Sequence, residues 1–170
     1  NTFFWVTNYG EDYFITIHPG NYNNNEFVAE INRALTARGF LSTESFCSIN
    51  PVNGYFSFFF KGATDPSGKE MAFLDDNVDL TVENESSLLY FLNNYAYFTF
   101  FDIGNIKYYK LKESLPDTVN DCLLPQSKID GTLGWLMGFR VPYLFMRSGG
   151  NKGVVPINLS GTQYLLLSLA

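Results

Sequence analysis

The feature that most restricts this sequence is a change of hydrophobic period across one proline-glycine pair. In "YFITIHPGNYNNNEFVAEINRALTARG" apolar residues alternate as far as Ile17, and from Phe27 onward they recur at helical spacing. On the strand side, Tyr13, Ile15 and Ile17 share one face and Phe14, Thr16 and His18 the other; the first is the expected core face. On the helical side, Phe27, Ile31, Ala34 and Leu35 form a stripe with Val28 beside it. Glu26, Glu30, Asn32, Arg33 and Arg38 stay off that stripe. The spacing predicts a helix over about 25–38, with Asn24 or Asn25 as cap, Glu26 complementing the dipole, and Arg38 and Gly39 at the C-terminal end. A strand that hands over to an amphipathic helix argues against a pure sandwich and for an α+β fold.

Short apolar runs bounded by turn formers surround this unit. "TFFWVT" and "YFITI" flank "NYGED", and "FCSI" and "YFSFFFK" flank "NPVNG", so two hairpins are expected. "GATDPSGK" is a further turn-rich loop; "VDLTVE" and "YAYFTFF" resemble strands, and "SLLYFLNN" fits either a short helix or a strand. Residues 102–129 mix Lys, Asp, Pro and Asn and are expected to form an irregular insertion. Beyond them, Asp130 is placed to cap a short helix at about 131–138 that Gly138 terminates in a left-handed conformation, and "TQYLLLSL" looks like a central strand. The expected fold is an antiparallel β-sheet of about five to seven strands packed against the 25–38 helix, in a single domain over 1–170. A jelly-roll-like β-sandwich with a helical insertion is the alternative. The first residue is Asn rather than Met, and no charged tail follows the last strand, so the chain is expected to be a fragment of a longer one.

Charge and chemistry narrow the function. Eleven Lys and Arg stand against 17 Asp and Glu, for a net charge of −6 with no basic cluster, so direct nucleic-acid binding is not expected. Apolar runs fall well short of a membrane-spanning length, so no transmembrane segment is expected. The lone histidine, His18, has no second His or Cys nearby in sequence with which to hold a metal, and a structural or solvent-facing role is expected for it. Cys47 and Cys122 are expected as buried free thiols, with a single bridge between them the alternative. Asp75, Asn77 and Asp79 begin a calcium-loop pattern, but Leu80 and Ser86 occupy its diagnostic glycine and glutamate positions. In "GATDPSGKE" five residues rather than four separate Gly62 from Gly68, and Glu70 replaces the hydroxyl residue of a phosphate loop. Asn84 and Asn158 each begin a glycosylation tripeptide, which carries meaning only in a secretory compartment. No catalytic residue, cofactor or metal is therefore expected. A hydrolase resting on Glu11, Asp12, Asp75, Asp76 and Asp79 is the weakest reading weighed.

Two local patterns carry a resemblance. Gly20, Asn21 and Tyr22 form a turn that leads into a helix bearing Phe27, Ile31, Asn32 and Leu35; a late element follows with Leu133, Gly134, Leu136, Gly138 and Phe139, then a final strand with Asn158, Leu159, Gly161, Tyr164 and Leu166. The arrangement resembles a module in structural proteins of large eukaryotic double-stranded DNA viruses, over residues 13–60 and 130–169. The resemblance implies a non-enzymatic virion protein, a minor capsid or vertex-associated component whose partners are other capsid proteins, including the major capsid protein. A fibre-like or attachment module that binds carbohydrate or a host receptor is the alternative. Physical chemistry gives the same residues folding roles. Gly20 is expected in a backbone conformation closed to other residues, Asn21 in a bond to its own backbone, and Tyr22 as a staple over the helix start. Gly134 and Gly138, four apart on one helical face, are expected to let the short helix lie close to a sheet, with Leu133, Leu136 and Phe139 as anchors.

Overall fold

The computed structural model describes residues 2–76, 85–100, 132–141 and 143–159. The expected strand at "VDLTVE", the insertion at 102–129, Asp130, Cys122, Asp79, Asn84 and the final strand with Gly161, Tyr164 and Leu166 lie outside these residues. Among the described residues the fold is α+β, with two antiparallel sheets and one main helix.

The first hairpin joins β1 (Phe3–Asn8) to β2 (Glu11–Thr16), with Phe3 opposite Thr16 and Asn8 opposite Glu11. Tyr9 and Gly10 make the turn, both left-handed, with φ of 51° and 80°. That turn geometry matches the twist of the flanking strands. The face carrying Tyr13 and Ile15 in β2, continued by Ile17 just beyond it, is buried as expected, and Phe14 on the opposite face is 43% exposed. The second hairpin joins β3 (Cys47–Ile49) to β4 (Phe56–Phe58). "SLLYFLNN" resolves as a helix, α2 (Glu85–Asn94), and "YAYFTFF" contains β5 (Tyr97–Thr99). The short helix α3 (Leu133–Leu136) precedes β6 (Tyr143–Phe145) and β7 (Asn151–Lys152). Strand order is β2-β1-β5-β6 in one sheet and β3-β4-β7 in the other.

The strands divide into two sheets because their inward faces are both aromatic and bury against each other. Phe58 of β4 stacks on Phe98 of β5 at 4.3 Å between centroids, and Phe4 of β1 lies 5.7 Å from Phe58. Phe139 and Phe100 extend the stack on the side of α3. Each such ring removes a large apolar area from water, and offset or edge contacts add to that burial. On its outer face the four-stranded sheet is partly covered: Leu92 of α2 packs with Leu74, Tyr97 and Phe145 in a second, smaller cluster.

The main helix α1 (Asn24–Arg38) packs on β2 and β3 through Phe27, Ile31, Ala34 and Leu35. Its cap is Asn23, one residue before the expected pair. The Asn23 side chain accepts from the Glu26 N–H at 2.8 Å, and the Glu26 carboxylate accepts from the Asn23 N–H at 3.0 Å. The reciprocal pair decides the boundary, because only Asn23 has a carboxylate three residues on that can return the bond. Gly39 ends the helix with φ 114° and donates to Leu35 and Thr36 carbonyls, as expected. Thr132 caps α3, its hydroxyl accepting from the Trp135 N–H at 3.1 Å. That corrects the expected cap at Asp130 and makes the helix shorter than the expected span of 131–138.

Candidate functional site

The stretch between β2 and α1 is held from both ends by side chains. At its start, the His18 N–H donates to Glu30 Oε2 at 2.7 Å, and the Tyr22 hydroxyl donates to the His18 carbonyl. At its end, the Tyr22 ring meets Phe27 edge-on at 6.0 Å between centroids. Tyr22 therefore acts as the expected staple. Glu30, expected on the polar side of the helix, is 8% exposed, because its carboxylate reaches back under the turn. Arg33 donates to it through Nε at 2.6 Å and through a terminal nitrogen at 2.8 Å. The Arg33 bond, opposed by burial and aided by the His18 N–H, holds the Glu30 carboxyl below the usual range. The His18 imidazole is 73% exposed and its Nδ1 lies 3.6 Å from Glu30 Oε2.

Gly20 departs from its expected role. Its φ lies outside the left-handed region, and an added Cβ would meet the Tyr22 ring at 3.6 Å, an ordinary contact. The turn is made by Pro19, which fixes its own φ, and by the bonds of Tyr22 and Asn23, so it does not require glycine. Asn21 is exposed, and it is Asn23 that makes the capping bonds.

Opposite this turn stands α3. Leu133 and Leu136 are buried beside it, and Phe139 lies in the core. Gly134 lies directly against the Phe100 ring, where an added Cβ would overlap it. Gly138 sits past the helix end at φ 99°, and an added Cβ would overlap the Val155 carbonyl oxygen. The left-handed termination at Gly138 matches expectation, but the shared face does not: one glycine admits an aromatic ring, the other a backbone. The chain after Gly138 is pinned by Val154 N–H donating to the Gly138 carbonyl at 3.0 Å and Asn158 N–H donating to Leu136 at 3.1 Å.

Between turn and short helix lies a half-open cavity of about 450 Å³, lined mainly by Ile17, His18, Tyr22, Phe27, Leu136 and Leu159. Gly20, Asn21 and Leu133 also contribute to its wall, with Thr2 and Pro19. The cavity thus gathers Gly20, Asn21, Tyr22, Phe27, Leu133 and Leu136 from the residues singled out in sequence. Ile31, Leu35 and Phe139 are buried in the core instead, and Gly134 and Gly138 lie against Phe100 and Val155. Tyr164 lies outside the described residues. A more open recess of about 580 Å³ adjoins it, sharing Tyr22 and Leu159 and lined by Asn23, Asn24, Asn25, Ile157 and Asn158. Sequence reasoning missed Ile17, His18 and Glu30 as parts of this region; the one signal for Glu30 was its spacing three residues before Arg33, which is also common on exposed helix faces.

Elsewhere, the described carboxylates considered for hydrolysis, Glu11, Asp12, Asp75 and Asp76, do not line the cavity. Asp12 accepts from the Thr7 hydroxyl at 2.6 Å, and Asp76 from the Gly149 N–H at 3.2 Å. In the loop that resembles a phosphate-binding turn, Asp65 is buried and accepts from the Asn8 amide at 2.7 Å and the Ser67 hydroxyl at 2.6 Å. Burial opposes its charge, but the bonds from Ser67, Asn8 and the Lys69 N–H outweigh it and hold the carboxyl below its usual range. This aspartate organises the loop. Burial pushes the Cys47 thiol up to about 12, so its thiolate fraction at neutral pH is negligible. Among the described residues no group of three or more His, Cys, Asp or Glu side chains could hold a metal, and no helix is long and apolar enough to cross a membrane. Comparison with known proteins returns no relative: no family model, no curated protein and no solved structure matches this chain.

Proposed function

We propose that the chain is a non-enzymatic structural protein of a virion, a minor capsid or vertex-associated component that contacts other capsid proteins, the major capsid protein among them. The observation that carries this reading is the cavity. The turn at 20–27 and the helix at 133–136 belong to the two stretches, 13–60 and 130–169, on which the resemblance to viral structural modules rests, and they form its facing walls. An apolar recess open to solvent is where a neighbouring protein can bury an anchor residue. The chain's acidity supports contact with protein rather than with packaged nucleic acid. Mass spectrometry of purified particles of the source virus tests the reading: the chain is expected at a fixed stoichiometry, with cross-links from the cavity rim to a capsid protein. Its absence from washed particles would refute the proposal.

The alternative, an attachment module, draws support from the asparagines at 21 and 23–25 beside the Tyr22 ring, since amides and an aromatic face suit sugar hydroxyls and the apolar face of a pyranose. A glycan array without signal would remove that support.

A further inference from the structure

We infer that the cavity and the adjoining recess form one groove for an extended, uncharged peptide segment that buries a single large apolar side chain. In the proposed shell setting, the segment belongs to a neighbouring capsid protein. The inference deepens the functional reading by naming the chemistry of the partner, and it rests on that reading only for the partner's source.

The two spaces are continuous, because Tyr22 and Leu159 line both. Their chemistry differs. Ile17, Phe27, Leu133 and Leu136 give the enclosed part an apolar floor, and its 450 Å³ falls within the range of about 300–1,000 Å³ typical of ligand clefts. The open part is walled by Asn23, Asn24, Asn25 and Asn158. Asn23 is committed to the helix cap, but Asn24 and Asn25 are exposed in the first turn, where aspartate would complement the helix dipole better. An asparagine amide both donates and accepts, as does each unit of a peptide main chain. Among the described residues, no Lys, Arg, Asp or Glu lines either space. His18 is the exception by type, and its imidazole faces the Glu30 carboxylate, which offsets its charge when protonated. The described lining therefore offers amides and apolar side chains rather than charge. A strand-like segment, rising about 3.3 Å per residue, can cross the amide wall while one side chain enters the apolar floor. A glycan would satisfy the asparagines and Tyr22 but would set hydroxyls against Ile17, Leu133 and Leu136, so a peptide fits both halves better.

Panning a phage-displayed library of random peptides against the chain tests this, followed by calorimetry on the synthesised consensus. The expected consensus is one large aliphatic or aromatic residue flanked by uncharged residues. Gly20→Trp, which places a ring at the cavity rim where an added Cβ makes only an ordinary contact, is expected to weaken binding at least tenfold. The paired change Asn24→Asp with Asn25→Asp is expected to weaken it about tenfold without lowering thermal stability. If Gly20→Trp fails to fold by circular dichroism, the asparagine pair decides. No consensus, a consensus of charged residues, or full binding by the variants would overturn the inference. So would a glycan-array signal that the same variants remove, which would assign the groove to carbohydrate. A consensus with these properties from a chain absent from purified particles would keep the groove and refute only its capsid partner.

Discussion

The two walls of the cavity are built on opposite principles. The turn from His18 to Phe27 is held by polar side chains that reach over open backbone: Glu30 to the His18 N–H, Tyr22 to the His18 carbonyl, Asn23 and Glu26 to each other. The segment from Thr132 to Phe139 is held by the close approach of surfaces, with Gly134 under the Phe100 ring and Gly138 under the Val155 carbonyl. A wall made of hydrogen bonds loses stability in proportion to the bonds removed, and a wall made of close contact fails when an atom is added. The contrast ranks the substitutions.

Gly138→Ala is expected to have the largest effect. It puts a Cβ both into a left-handed conformation and into a backbone oxygen that cannot rotate away, which together cost about 3 kcal/mol or more. Chemical denaturation should show it, or the protein should fail to accumulate. Gly134→Ala meets a side chain instead, and a cost of about 1–3 kcal/mol follows. If Gly138→Ala proved the milder of the two, the packing account of this wall would be wrong.

On the polar wall, Glu30→Ala strands the His18 N–H, removes the partner of the solvent-exposed Arg33, and is expected to cost about 1–3 kcal/mol. Glu30→Gln keeps an acceptor for His18 and should cost less. The pair also isolates a pH dependence. Because the folded Glu30 carboxyl is held below its usual value, the unfolded chain takes up its proton first as pH falls. The stabilisation is therefore complete above the unfolded value of about 4.3 and is lost as pH drops through the lower folded value. Thermal melts from neutral pH downward should show wild type and Glu30→Gln converging below about pH 4. Asp65, whose carboxyl is also held low, acts equally in both proteins and cancels in the difference. A gap that widens with acid would contradict the assignment.

Asn23→Ala removes half of the capping box. It is expected to cost about 1 kcal/mol, a fall of about 2–4 °C in melting temperature, whereas Asn25→Ala should be close to neutral. Equal effects at the two positions would mean that the helix starts where the sequence first suggested.

How much was legible follows the same division. Periodicity located α1, both hairpins and the buried face of β2, because these depend on which side of an element is apolar. The left-handed glycines at 39 and 138 were legible because each follows a helical run. Caps were placed one or two residues off: several asparagines and a nearby Asp130 compete in sequence, and only the reciprocal bond from Glu26 and the position of Thr132 separate them. The division of strands into two sheets was not legible, since alternation shows that a face is buried and not what covers it. Glu30 was misplaced for a related reason: its helical position is polar, yet the turn folded back above it and closed it from water.

Gly20, where sequence reasoning expected a conformation reserved for glycine, is also expected to tolerate substitution. With φ outside the left-handed region and an added Cβ in ordinary contact with the Tyr22 ring, Gly20→Val should change stability by about 1 kcal/mol or less in chemical denaturation. Beta branching restricts the backbone of residue 20 itself, which sets this residual cost. The same substitution narrows the mouth of the cavity, so occupancy of the groove should fall while the fold remains intact. A loss of stability at Gly20→Val as large as that at Gly138→Ala would erase the distinction between the two walls. It would also restore the turn to the role that its Pro-Gly sequence first suggested.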